Sequence, residues 1–342
     1  MSIAEQPLSG PAPAQHDPAP LLRVRGLKTY FPGPRPALPW RPRPLVKAVD
    51  GVDFDIPYGS TLGLVGESGS GKSTVARSIL QLVPSTAGEV EFEGRKLFAL
   101  PPAELRKTRR HMQIIFQDPY ASLDPRRSVG FTIREPLMIH QIGGPAEQRE
   151  RVAELLRLVG LSPDMEYRYP HEFSGGQRQR VGIARALATG PTLIIGDEPL
   201  SALDVSIQAQ IINLLRDLQL RFGLTYLFIS HDLRAVRYLS DEVAVMYLGR
   251  IVERAPTKRL FTQPQHPYTQ SLLQSVPQAR WLGKRCETIP LKGEIPSPLS
   301  PPTGCHFWPR CPHAMPICRE QVPALARIDQ SHLAACHLLT KA

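Results

Sequence analysis

An α/β fold is predicted by two strand-to-loop junctions in this chain. In the first, the apolar stretch Ser60-Thr61-Leu62-Gly63-Leu64-Val65 runs into Gly66-Glu67-Ser68-Gly69-Ser70-Gly71-Lys72-Ser73, and helical periodicity follows from Ser73 to Leu82. In the second, the apolar strand Thr192-Leu193-Ile194-Ile195-Gly196 ends in Asp197-Glu198-Pro199. The first loop fits G-x-x-x-x-G-K-[ST], and a strand before it with a helix after it is the context that a phosphate-binding loop needs. Its glycines let backbone N–H groups turn inward onto phosphate oxygens, and the helix N-terminus adds positive potential. Lys72 is expected to reach the β- and γ-phosphates, and Ser73 to offer a hydroxyl to Mg²⁺, with Thr74 closing the loop. The competing explanation, a glycine turn without function, does not account for the flanking strand and helix. The chain is therefore expected to bind a nucleoside triphosphate.

The second junction supplies what such a loop lacks. An acidic residue at a neighbouring strand end can hold the Mg²⁺ shell beside the phosphates, and Asp197 fits that place. Glu198, one residue on, is placed to polarise an attacking water as general base. An acidic strand-to-loop turn with no role is the bland alternative; the upstream phosphate loop argues against it.

Composition bounds the rest. The 342 residues suit two domains, or one large domain with an appendage, and a content of 42% hydrophobic and 21% charged residues is ordinary for a globular protein. No apolar run reaches the ~18 residues of a membrane span. The start of the chain lacks a charged-then-apolar signal pattern, so a cytoplasmic location is expected. The net charge is +10, from 41 basic and 31 acidic residues. That excess suits a solvated Arg-rich surface, a nucleic acid or an anionic membrane face, but no basic run carries interleaved aromatics, which argues against nucleic acid. Prolines cluster in three places: residues 7–20, within an N-terminal tail over 1–20 expected to be disordered, 32–44, expected to form an extended loop, and 290–316, expected to lie in an irregular tail. A boundary is expected near residue 265.

Before the second strand comes Phe173-Ser174-Gly175-Gly176-Gln177, at the start of a helix expected over Arg178 to Thr189. Here the chain resembles the ATP-binding cassette (ABC) family, whose signature is Ser-Gly-Gly-Gln. The resemblance implies an α/β fold with a RecA-like P-loop core, an antiparallel β subdomain and a helical subdomain, together an ABC nucleotide-binding domain over 21–265 with the helical part at about 119–180. It also implies that two cassettes pair head to tail, so that Ser174, Gly175, Gly176 and Gln177 of one close over the γ-phosphate held by the other. Other family motifs follow in order. Gln117, in Ile114-Ile115-Phe116-Gln117-Asp118-Pro119, matches the glutamine that contacts Mg²⁺ and senses a membrane partner. Asp204, in Ser201-Ala202-Leu203-Asp204, matches the loop that crosses the cassette interface. His231, in Ile229-Ser230-His231-Asp232 after the strand Thr225–Phe228, matches the switch histidine that steadies the γ-phosphate and orients Glu198. The adenine should stack on an aromatic upstream of the phosphate loop. Phe31 is favoured over Tyr30, with Val46 beside the base. Helical spacing of Val152, Leu155, Leu156 and Leu158 supports the helical subdomain.

Three further segments resemble one subfamily. Tyr120-Ala121-Ser122-Leu123-Asp124-Pro125-Arg126, Asp204-Val205-Ser206-Ile207-Gln208-Ala209-Gln210 and His266-Pro267-Tyr268-Thr269 are similar to the F-type ATP-binding subunit of oligopeptide/dipeptide importers. The resemblance covers roughly residues 21–342. It implies ATP hydrolysis with Mg²⁺, a D-type ATPase subunit as heterodimer partner, two permeases, a solute-binding protein, and a peripheral place on the cytoplasmic face of the membrane. Nickel, glutathione or other small solutes are alternative cargoes. A soluble ABC ATPase outside transport would carry two cassettes or a long coiled-coil insertion, and neither is present.

Four of the five cysteines fall in the last 38 residues, spaced C-x5-C-x6-C-x17-C: Cys305, Cys311, Cys318 and Cys336. A cytoplasmic location disfavours disulfides, and the close Cys pair usual for zinc is missing. Four separated thiolates can hold an iron–sulfur cluster, with zinc or plain thiols as alternatives. The subfamily resemblance points to a [4Fe-4S] cluster in the 266–342 extension. That extension is poor in periodic apolar residues, so a metal cross-link is expected to be structural. Cys286 is expected to be a small structural residue, and His306, His313 and His337 to be solvated.

Overall fold

The computed structural model describes residues 19–35, 43–118, 120–274, 294 and 296–339. The strands are β1 (Leu22–Pro32), β2 (Leu45–Ile56), β3 (Thr61–Val65), β4 (Ala87–Phe92), β5 (Arg95–Lys96), β6 (Met112–Ile115), β7 (Leu193–Asp197), β8 (Thr225–Ile229), β9 (Glu242–Tyr247), β10 (Arg250–Pro256), β11 (Ala326–Arg327) and β12 (Leu333–Ala334). The helices are α1 (Lys72–Ile79), α2 (Pro102–Arg109), α3 (Val129–Ile139), α4 (Pro145–Leu158), α5 (Gly175–Leu187), α6 (Val205–Phe222), α7 (Leu233–Leu239), α8 (Thr257–Thr262), α9 (Pro267–Gln274) and α10 (Pro316–Glu320).

Two sheets organise the fold. An antiparallel sheet has the order β2-β1-β4-β5, and a larger one has the order β11-β12-β10-β9-β3-β8-β7-β6. In the larger sheet β6, β7, β8, β3 and β9 run parallel, while β10, β12 and β11 extend the edge antiparallel. Parallel strands are covered on both faces, which explains why β3, β7 and β8 are buried at every position and read as continuous apolar runs. Strand alternation divides these residues between two cores. Leu62, Leu64, Leu193, Ile195, Leu227 and Ile229 face the antiparallel sheet and α1. Ile194, Tyr226, Phe228, Val243 and Val245 face the helices of the other layer. α3, α4 and α5 pack together as the helical part between β6 and β7.

The expected elements are found with shifted ends. The helix after the phosphate loop stops at Ile79 instead of Leu82, and the signature helix begins at Gly175. Of the 32–44 segment, residues 36–42 lie outside the described residues, yet Gly33 donates its N–H to the Pro44 carbonyl at 2.8 Å, so the two strands close across it. Residues 1–18 of the expected disordered start, and Cys286, also lie outside the described residues.

The C-terminal extension builds onto the larger sheet instead of a core of its own. β12 pairs with β10, placing Ala334 opposite Glu253. Phe307 is 1% exposed and packs against Tyr247, Tyr268 and His266 at centroid distances of 5.4, 5.4 and 5.7 Å. Beneath them Glu253, fully buried, accepts hydrogen bonds from the N–H groups of Gln265 and His266 at 2.7 and 2.9 Å, and pairs with His332 Nε2 at 2.7 Å. A buried carboxylate with three partners fixes both the start and the end of the extension, because an unmatched charge there would be costly. His306, expected to be solvated, is half-buried with Nδ1 3.1 Å from the Leu248 carbonyl. His313 is exposed, and His337 Nε2 lies 3.0 Å from the Gln321 carbonyl.

Burial depresses the His266 imidazole to about 4, from its ordinary 6.5. The unfolded chain therefore takes up a proton as pH falls below 6.5, while the folded chain resists until about 4. The stability linked to this group is complete above pH 6.5 and declines between 6.5 and 4, by roughly 3 kcal/mol in total. His306, lowered chiefly by burial, acts in the same direction. Denaturant midpoints measured across that window should fall less steeply for His266→Gln than for the wild type; parallel slopes would contradict the assignment.

Candidate nucleotide site

The phosphate loop leaves the end of β3, which lies between β9 and β8 in the parallel part of the sheet. The neighbouring strand ends deliver Asp197 and Glu198 from β7 and His231 from just beyond β8. The site thus sits at the carboxyl ends of parallel strands, where open α/β sheets bind ligands. Gly71 caps α1 with φ 103°, and a Cβ there would lie 2.0 Å from the Ala48 carbonyl oxygen, so only glycine fits. No side chain caps the helix, and its first turn holds no acidic residue. The leading amides of Lys72, Ser73 and Thr74 are therefore suited to an anion.

Lys72 is 4% exposed. Its ammonium donates to the carbonyls of Gly66 and Glu67, each at 2.9 Å, and lies 3.4 Å from Ser70 Oγ. Among the described residues it makes no ion pair. Burial lowers its pKa, opposed by the nearby charges of Glu198, Asp197 and Glu67. A buried ammonium held only by neutral oxygens fits a phosphate partner. Ser73 Oγ donates to Asp197 Oδ1 at 2.6 Å, and burial raises the pKa of that carboxyl. Together these two oxygen groups fit a divalent cation, which prefers oxygen ligands.

Glu198 gathers the next two residues. Gln117 Nε2 donates to its Oε2 at 3.1 Å, and His231 Nδ1 lies 3.1 Å from the same oxygen. Glu198 itself has φ 49°, held by its N–H donating to the Ile229 carbonyl at 2.9 Å. A non-glycine residue in the left-handed region costs energy and persists only where its surroundings enforce it. The Glu198 carboxylate, with an exposed imidazole beside it, lies close enough for its charge to act on Lys72.

Upstream, Phe31 pairs with Val46 and Tyr30 with Lys47 across β1 and β2. The Tyr30 hydroxyl donates to Asp50 Oδ1 at 2.5 Å, which helps raise it to about 12 after burial, and Lys47 lies 6.0 Å from the ring centroid. Asp50 is paired in turn with Arg250 at 2.6 Å.

The signature is placed elsewhere. Ser174 caps α5 by accepting from Gln177 N at 3.3 Å, and Gln177 Oε1 accepts from Ser174 N at 3.0 Å. A Cβ on Gly176 would lie 2.6 Å from Ile207 Cγ2, and one on Gly175 would lie 3.6 Å from Leu203 Cδ2. The starts of α5 and α6 therefore nearly touch, setting the signature beside exposed Asp204. α5 packs on α3, α4, α6 and β6, whereas α1 packs on β7, β1 and β2. The signature and the phosphate loop of one chain are thus carried by different groups of elements.

In the extension, Cys305, Cys311 and Cys336 are raised first by burial and also by one or more of the other cysteines, Cys336 to about 11. The four sulfurs share one neighbourhood. Even so, among the described residues no three His, Cys, Asp or Glu side chains converge to hold a metal ion. Two residues not singled out from the sequence reach the phosphate loop: Arg310, which pairs with Glu67 at 2.7 Å, and the Tyr268 hydroxyl, which accepts from Glu67 N at 2.9 Å. Only the His-Pro-Tyr-Thr segment gave a sign of the second.

Comparison with known proteins places the chain in a family. Residues 49–201 match the model of the ABC transporter family, and residues 252–318 match the oligopeptide/dipeptide transporter C-terminal region. The chain is 54% identical to the oligopeptide transport ATP-binding protein AppF of Bacillus subtilis, over 93% of this chain and 97% of that one. It is 52% identical to a putative peptide import ATP-binding protein of Brucella ovis, over 93% and 97%. A solved dimer of the ATP-binding cassette MJ0796, in a post-hydrolysis state with ADP and Pi, superposes with a TM-score of 0.61 at 29% identity, covering 69% of this chain and 98% of that one.

Proposed function

We propose, for a chain that belongs to the ATP-binding family of oligopeptide/dipeptide ABC transporters, that it hydrolyses ATP to drive peptide import through membrane permeases. The observation that carries the mechanism is the meeting of Gln117 and His231 on one carboxylate oxygen of Glu198, next to the buried Lys72 and the Ser73–Asp197 pair.

Each residue then has a task. Lys72 and the amides of the Gly66–Thr74 loop (Gly66, Ser68, Gly69, Ser70, Gly71) bind the phosphates, while the Glu67 amide, tied to Tyr268, helps set the loop's shape. Ser73, Asp197 and Gln117 hold Mg²⁺, which when bound neutralises charge developing on the phosphates. Glu198 orients a water and accepts its proton as oxygen attacks the γ-phosphorus and the β–γ bridging bond breaks. His231 keeps Glu198 in place and donates to the γ-phosphate. Phe31, beside Val46, stacks on the base, because the Tyr30 hydroxyl is already tied to Asp50.

The signature, lying beside Asp204 on the surface, serves a second cassette, as the solved cassette dimer supports. That second cassette is a D-type subunit. Two permeases, contacted through the helical part between Gln117 and Ser174, and a solute-binding protein complete the importer at the cytoplasmic face of the membrane. No helix of the described residues is long and apolar enough to cross a membrane, so the path for the solute is assigned to the permeases.

A reconstituted importer tests this directly. Wild-type subunit should couple ATP hydrolysis to uptake of labelled di- and oligopeptides. Glu198→Gln should lose both, with hydrolysis falling roughly a hundredfold or more. Unchanged hydrolysis would remove Glu198 as the base; uptake of nickel or glutathione in place of peptides would replace the cargo.

The four cysteines are assigned to a structural [4Fe-4S] cluster, with zinc as the alternative. Their shared neighbourhood supports this; their side chains, as placed, do not form a ligand set and would have to turn inward. Burial disfavours the thiolates of Cys305, Cys311 and Cys336, so a bound cation would be what keeps them deprotonated as ligands. Anaerobically purified protein should contain iron and acid-labile sulfide in near-equal amounts. Zinc alone would exchange the metal, and neither would leave four plain thiols.

A further inference from the structure

The phosphate loop is held from the far end of the chain. Arg310 closes a short 3-10 turn, Trp308–Arg310, bounded by Cys305 and Cys311. Its side chain is 5% exposed, and its guanidinium grips Glu67 with both arms: Nη1 donates to Oε2 at 2.7 Å and Nη2 to Oε1 at 3.0 Å. Such fork-on-fork pairing fixes direction as well as distance. Nη1 also lies 3.4 Å from the Tyr247 hydroxyl. The backbone of the same glutamate is engaged too, since its N–H donates to Tyr268 Oη at 2.9 Å and its carbonyl accepts from Lys72 Nζ at 2.9 Å. One residue of the phosphate loop is thus bonded to the extension through side chain and amide, and to the phosphate-binding lysine through its carbonyl. Tyr247 and Tyr268 pack at 4.7 Å, and Phe307 packs on both, so the supports are themselves rigid.

We propose that Arg310 is a positioning residue for nucleotide binding: it holds Glu67, and through it the phosphate loop and Lys72, in the conformation that receives the phosphates. It also neutralises a carboxylate that would otherwise stand uncompensated one residue into an anion site. This role rests on the reading that the Gly66–Ser73 loop binds the phosphates. The 243-residue separation of the pair makes the extension part of the nucleotide site.

MgATP titrated calorimetrically into the full chain is the test. Arg310→Gln should weaken binding roughly tenfold, and Arg310→Lys by less, since an ammonium keeps the charge without the fork. Glu67→Gln added to Arg310→Gln should cost little further affinity, because the fork that holds the loop is already broken. In the assembled ATPase, Arg310→Gln should raise KM and leave kcat within about twofold. Tyr268→Phe, which keeps the ring and removes the acceptor of the Glu67 amide, should weaken binding by a few-fold and serves if Arg310→Gln does not fold. Wild-type affinity in both Arg310→Gln and Tyr268→Phe would overturn the proposal. So would losses from Glu67→Gln and Arg310→Gln that simply add in the double variant, because the extension would then act without reference to Glu67. A wild-type chain that binds no MgATP would instead overturn the phosphate-site reading beneath it.

Discussion

A buried ammonium without a carboxylate partner is the constraint around which this molecule is arranged. Lys72 is removed from water and held by two carbonyls, an arrangement that disfavours its charge until an anion arrives. Keeping it there requires a loop that turns tightly enough for its carbonyls to face inward. The close approach of Gly71 to the Ala48 carbonyl supplies that turn. It also requires rigid walls, and these are β3 and its parallel neighbours, buried on both faces. The acidic groups are set one step away: Asp197 is occupied by Ser73, and Glu198 by Gln117 and His231. Each carboxylate thus has its own polar partners, and the lysine is left without an ion pair among the described residues.

The second organising feature is the attachment of the extension. Glu253 joins the residues before α9 to His332, β12 lengthens the main sheet, and Phe307 enters an aromatic cluster shared with Tyr247 and Tyr268. Arg310 then spans from that cluster to Glu67. A segment with little apolar periodicity thus acquires order by borrowing a core, which lessens its dependence on a metal cross-link for folding. The cysteines lie around this joint: Cys305 donates its N–H to the Cys318 carbonyl at 2.8 Å, and Cys311 follows Arg310 directly.

Much of this was legible in the residues, for identifiable reasons. The core strands announced themselves because parallel strands covered on both faces must be apolar throughout, and α4 because its buried residues recur at helical spacing. The phosphate loop and Asp197–Glu198 were legible because each ends an apolar run with residues that a core cannot use, whereas His231 was singled out only through the family resemblance. β12 was not, being a two-residue strand whose pairing depends on β10. Neither was the buried Glu253, since a glutamate gives no sign in sequence of the three donors that surround it. Arg310 and Glu67 look like surface charges; only the fold brings residues so far apart into one ion pair. The half-burial of His306 has the same origin, a backbone carbonyl at Leu248 that no local pattern reveals.

The most direct measurement is the affinity of the full chain for MgATP with Lys72 intact and with Lys72→Ala. If the buried ammonium is reserved for phosphate, the substitution should lower affinity by roughly a hundredfold or more while removing an unfavourably buried charge, so that the unliganded protein melts no lower than the wild type. Equal affinity in the two proteins would contradict the account, because the cation at the centre of the loop would then have another purpose.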